Sequence, residues 1–99
     1  MKRSYYKGTC YRYFYKGKSH KNIVLIHGLG LNQDVWTWQI PFFKDYNVLV
    51  YDLLGHGDSK NPEKKITLDT FSNQLNELIL KLSINKIILI GFSLGSMIS

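Results

Sequence analysis

The stretch Lys86–Ser96, KIILIGFSLGS, runs four isoleucine and leucine residues into a serine that has glycine two residues before it and two after it. A short continuous β-branched run bounded by glycine reads as a strand buried on both faces. A free serine hydroxyl is a weak nucleophile at neutral pH and needs a base and a place for the developing oxyanion. A sharp turn from strand to helix lifts such a serine out of the sheet. Gly91 and Gly95 keep Cβ atoms away where that turn crowds the backbone, and Leu94–Met97 can open a helix whose free N–H groups face the reacting carbon. Alone, G-x-S-x-G arises by chance in roughly 3% of chains of this length. The bland alternative is a Gly/Ser turn that only ends a strand.

Two more segments repeat the strand-then-glycine pattern. Asn22–Ile26 is a buried strand that breaks at His27-Gly28-Leu29-Gly30, and Asn47–Tyr51 is another that breaks at Asp52-Leu53-Leu54-Gly55-His56-Gly57-Asp58-Ser59, the start of a polar loop to Pro62. Between Thr67 and Leu82 the residues Leu68, Phe71, Leu75, Leu78, Ile79 and Leu82 form one stripe of period 3.6, with Thr67 as N-cap and Asp69 in the first turn. Asp34–Phe43 reads as a short helix with Trp36, Ile40 and Phe43 on one side, kinked or ended by Pro41. Ser4–Thr9 and Tyr11–Lys16 read as an aromatic hairpin with turns at Gly8 and Gly17. Buried strands alternating with helices predict an α/β fold: a parallel sheet with helices on both faces, entered through an antiparallel hairpin. In such a sheet ligands bind at the C-terminal edge of the strands, where all three glycine loops leave.

Composition narrows the function. The chain has 99 residues, enough for at most one small domain, and 44% apolar with 20% charged residues is a globular balance. A single cysteine, Cys10, rules out an internal disulfide and a Cys-rich metal site. The N-terminus lacks the apolar core of a signal peptide, and no apolar run is long enough to span a bilayer, so a cytoplasmic location without a membrane partner is expected. The net charge of +6 comes from Met1–Lys21, with seven basic and no acidic residues; the remainder carries six basic against seven acidic. Solvated lysines on an aromatic hairpin account for this better than a nucleic-acid ribbon, because no RNA-binding signature accompanies them. Neither G-x-G-x-x-G nor a P-loop is present, so no nucleotide cofactor is expected.

HGLG, DLLGHGDS and GFSLGS, each after a strand and in that order, resemble the N-terminal part of an α/β-hydrolase. The resemblance covers nearly the whole chain. It implies that residues 1–99 are the first part of one such domain and that Ser93 is the nucleophile. The backbone N–H groups of Leu29 and Leu94 would form the oxyanion hole. His27, Gly28, Gly30, Gly91 and Gly95 would shape the loops, and Trp36 could line the pocket. Serine at position 93 points away from the dehalogenase branch, which carries aspartate there. The family order is nucleophile, acid, histidine, yet His20, His27 and His56 all precede Ser93 and no acidic residue follows it. His27 and His56 are therefore expected to order loops, and Asp52 and Asp58 to brace the Gly55–Gly57 turn. The implied reaction is acyl transfer on a small ester, thioester or lactone, without metal or cofactor. Carbon–carbon hydrolysis, peroxidase or lyase chemistry and ligand sensing are the alternatives. The 99 residues alone are expected to show no steady turnover of a short-chain nitrophenyl ester, and a Ser93-dependent burst followed by turnover would overturn that.

Overall fold

The computed structural model describes residues 2–62 and 65–91. Five strands form one sheet: β1 (Ser4–Tyr6), β2 (Thr9–Phe14), β3 (Lys21–Ile26), β4 (Tyr46–Tyr51) and β5 (Ile87–Gly91), in the order β1-β2-β4-β3-β5. β1, β2 and β4 pair antiparallel, while β3 pairs parallel with both β4 and β5. Lys7 and Gly8, both at positive φ, turn the hairpin, so β1 ends three residues earlier than its aromatic pattern suggested.

Alternation along the strands sorts the apolar side chains onto two faces. Val24, Ile26, Leu49 and Tyr51 face helix α1 (Leu68–Leu82) and pack with its Phe71, Leu75 and Leu78. Ile23, Leu25, Val48 and Val50 face the other way, under Trp36, Ile40 and Phe43. Tyr11 and Tyr13 of β2 join the α1 side because their antiparallel partners are Tyr51 and Leu49. Full burial of a side chain of this size contributes about 1.5–3 kcal/mol, so these two layers supply most of the folding drive.

The α1 boundaries follow from capping. Thr67 accepts the Thr70 N–H, and the Thr70 hydroxyl accepts the Thr67 N–H. Ser83 ends the helix in the left-handed region. Leu68, assigned to the apolar stripe, is exposed, whereas Gln74 is buried. Asp34–Phe43 is not one helix but two short 3-10 turns, Gln33–Trp36 and Ile40–Phe43. The break falls before Pro41, at Thr37–Gln39. This leaves Trp38 81% exposed, off the face that Trp36, Ile40 and Phe43 share. The Asp52–Pro62 loop is less polar than it reads: Leu53 and Leu54 sink into the α1 core.

Gln74 joins three parts of the fold. Its Nε2 donates to Thr9 Oγ1 at 3.0 Å and to the Asp52 carbonyl at 2.9 Å, and its Oε1 accepts the Leu54 N–H at 3.1 Å. Replacing it strands a buried N–H and a carbonyl, each worth about 1–3 kcal/mol when unsatisfied. Gln74→Leu should lower the unfolding free energy by about 2–4 kcal/mol in urea, while Leu80→Ala, at a 77% exposed position, should change it by under about 0.5 kcal/mol.

Candidate active site

Strand register brings the C-terminal ends of β3, β4 and β5 to one level. Ile26 lies opposite Tyr51 on one side and Gly91 on the other. The chain therefore leaves β3 into His27 and β4 into Asp52 side by side, next to the end of β5 at Gly91. Ser93, Leu94 and Gly95 lie outside the described residues, as does the expected elbow helix. Gly91, the last residue of β5, is described and pairs with Ile26.

The first loop has a fixed entrance. His27 is wholly buried, and its Nε2 accepts the Leu53 N–H at 2.9 Å. Its proton consequently sits on Nδ1, which donates to the Gly28 carbonyl at 2.7 Å. Burial lowers the pKa of this imidazole below its ordinary value, and neighbouring His56 adds to the effect. The hydrogen bonds favour the neutral ring as well, since a second ring proton would face the Leu53 N–H. His56 donates from Nδ1 to the Leu54 carbonyl at 3.0 Å, taking Nδ1 as protonated, and its ring lies 5.3 Å from that of His27.

Beyond His27 the loop is open. Leu29 is 61% exposed, Gly30 adopts φ +77° with no atom near the place of a Cβ, and a turn closes through Leu31 N–H to the Gly28 carbonyl at 3.2 Å. Among the described residues the Leu29 N–H has no hydrogen-bond acceptor. Asn32 then caps the first 3-10 turn by accepting the Asp34 N–H at 2.8 Å. Trp36 packs down onto the Leu25 and Val50 face of the sheet.

Asp52 links the first loop to the second. Its Oδ1 accepts the Gln33 N–H at 2.8 Å and its Oδ2 accepts the Asp58 N–H at 2.9 Å. Asp58 braces the turn through its backbone, not its exposed carboxylate. A Cβ on Gly57, at φ +49°, would fall on the Asp52 carboxylate, so only glycine fits. Ser59 completes the loop, donating to the Asp52 carbonyl at 2.6 Å and accepting the Cys10 N–H at 2.9 Å. Cys10, Asp52 and Asp58 bring a thiol and two carboxylates within 4.8 Å. Both Asp52 oxygens are already engaged and burial pushes the Cys10 thiol up, so this trio is a hydrogen-bonded hub and fits a metal poorly. Sequence reasoning missed Gln33 and Gln74, because a buried glutamine carries no local signal.

Among the described residues, no helix is long and apolar enough to cross a membrane. The family model described as the alpha/beta hydrolase fold matches residues 21–99. A Synechocystis protein named for non-heme chloroperoxidase activity is 41% identical over 75% of this chain and 28% of its own. The (E)-2-((N-methylformamido)methylene)succinate hydrolase of Acinetobacter baylyi is 36% identical over 88% of this chain and 33% of its own. The enol-lactonase of Burkholderia xenovorans superposes with a TM-score of 0.81 at 28% identity, over 98% of this chain and 39% of that one. The chain thus spans about a third of the length of these relatives. With its β1-β2-β4-β3-β5 sheet and a family match over residues 21–99, the chain belongs to the α/β-hydrolase family.

Proposed function

We propose that residues 1–99 supply the nucleophile and the oxyanion loop of a serine hydrolase that acts on a small ester, thioester or lactone through an acyl-enzyme. The observation that carries this is the shared register of Ile26, Tyr51 and Gly91. β5 ends at Gly91 at the level where the Gly28–Asn32 loop leaves β3, and in sequence FSLGS comes next. Ser93 stands two residues past Gly91 in sequence, and Leu29 three past Ile26. In this reading Ser93 Oγ attacks the carbonyl carbon and the N–H groups of Leu29 and Leu94 take the oxyanion charge. The alcohol, thiol or ring oxygen departs, and water then hydrolyses the acyl-enzyme. The acid and base come from outside these residues. The enol-lactonase among the relatives favours an acyl substrate; the chloroperoxidase name keeps peroxidase chemistry on the same serine as the second reading.

One experiment tests this function and a second the neutral His27 at the loop entrance. Residues 1–99 joined to the part of the Burkholderia enol-lactonase that lies beyond its matching segment should hydrolyse a nitrophenyl acetate with burst kinetics. Ser93→Ala should cut kcat by at least about 10³-fold. A chimaera equally active without the Ser93 hydroxyl would refute the assignment. The second uses His27. Its folded pKa is depressed, so the unfolded chain binds more protons below about pH 6.5, and folding stability is full above that pH and lost as pH falls toward the folded value. Urea unfolding between pH 7 and pH 5 should show this loss, and His27→Asn should flatten it. A pH slope identical in the two proteins would discard the neutral-His27 account.

A further inference from the structure

The exit of the Gly28–Asn32 loop is held from the opposite end of the sequence. Gln33 follows the loop and is completely buried. Its side-chain oxygen accepts one strong hydrogen bond, from Arg12 Nε at 2.6 Å. The same guanidinium donates through Nη2 to Asp34 Oδ1 at 3.2 Å, so one planar group orients two consecutive residues. Arg12 lies on β2 with its side chain only 14% exposed, its guanidinium 5.7 Å from the centre of the Phe14 ring. Arg3 closes the arrangement by donating to both Asp34 oxygens at 2.8 and 3.0 Å.

The loop needs such a hold. Leu29, Gly30 and Leu31 are exposed, and Gly30 has open space around it, so packing does not set their conformation. The ends do. His27 fixes the entrance. At the exit the Gln33 N–H is fixed by Asp52, and the peptide can pivot about that bond unless the side chain is also held; its Nε2 makes only long contacts to the Cys10 carbonyl at 3.5 Å and sulfur at 3.7 Å, which leaves the 2.6 Å bond from Arg12 as the short one.

We propose that Arg12 is a positioning residue that, through Gln33 and Asp34, holds the Leu29 N–H where an oxyanion forms. This rests on the reading of Leu29 as an oxyanion donor. A small displacement of such a donor costs rate while leaving ground-state binding nearly intact. Lysine cannot replace the fork, because one ammonium cannot donate in plane to both acceptors.

In the chimaera, Arg12→Met should lower kcat for nitrophenyl acetate about tenfold or more with KM within about twofold, and Arg12→Lys should not restore it. Unchanged kcat in a chimaera that Ser93→Ala inactivates overturns the proposal. A chimaera still active after Ser93→Ala overturns the reading beneath it instead. Amide exchange then decides. In the 99-residue chain the Leu31 and Gln33 amides should exchange about tenfold faster in Arg12→Met, while Leu49 and Val50 in β4 keep their rates. Equal exchange at Leu31 and Gln33 overturns the hold.

Discussion

One buried carboxylate sets the geometry of the edge. Asp52 is almost inaccessible to water, and a carboxylate in such a place is tolerated only when its oxygens are hydrogen-bonded. Its two oxygens are divided between the Gln33 N–H and the Asp58 N–H, so a single planar group fixes the separation of two loops. That demand propagates. Gly57 must lack a Cβ, Ser59 must close the loop onto the Asp52 carbonyl, and Gln74 must reach the same carbonyl from α1. The nearest arginines do not neutralise Asp52. Arg3 pairs with Asp34 and, at 3.9 Å, with Asp58, and Arg12 is shared between Gln33 and Asp34; these exposed carboxylates contribute little to stability as ion pairs. Two backbone N–H groups, one from a 3-10 turn and one from a loop, satisfy the Asp52 oxygens instead.

Much of this was legible from residue patterns. Continuous apolar runs located β3, β4 and β5 to within a residue; β3 and β4 are covered on both faces as expected, whereas β5 is not, for none of its residues is fully buried and Ile88 is 44% exposed. Thr67 located the start of α1, because its oxygen accepts the Thr70 N–H. The aromatic segment around Pro41 misled for a physical reason. Trp36, Ile40 and Phe43 do share a face, as a helix would require, but two 3-10 turns with a break between them place the same three residues on the sheet. The pattern recorded the contact and not the path between contacts.

Buried polar residues were the opaque part. Asn47 holds the segment between β2 and β3, accepting the Lys16 and Gly17 N–H groups and donating to the Gly17 carbonyl at 2.9 Å and to Asn22 Oδ1 at 3.1 Å. In sequence it is an asparagine at the start of a strand, indistinguishable from a surface residue. Gln33, Gln74 and Asn47 share this property. Each amide offers both a donor and an acceptor, so each can satisfy backbone groups from elements far apart in sequence, and no periodicity marks that use. The glycine loops were legible because conformation restricts residue choice at the loop itself; the amides that hold those loops answer to partners elsewhere.

The same accounting bears on the proton relay. A general base for Ser93 needs a ring nitrogen with a free lone pair. His27 has none to offer, since Nε2 accepts the Leu53 N–H and Nδ1 carries the proton given to Gly28. Recruiting it would break the loop entrance it maintains. His56 keeps one nitrogen, but its ring is wedged between those of His27 and Phe71, at 5.3 and 6.4 Å, and tied to the Leu54 carbonyl. A base must approach its serine and swing little as it accepts the proton, and a ring committed to loop packing does neither. Two histidines beside three glycine loops look like a catalytic pair in sequence. Their hydrogen bonds instead make them part of the scaffold on which a base from elsewhere would act.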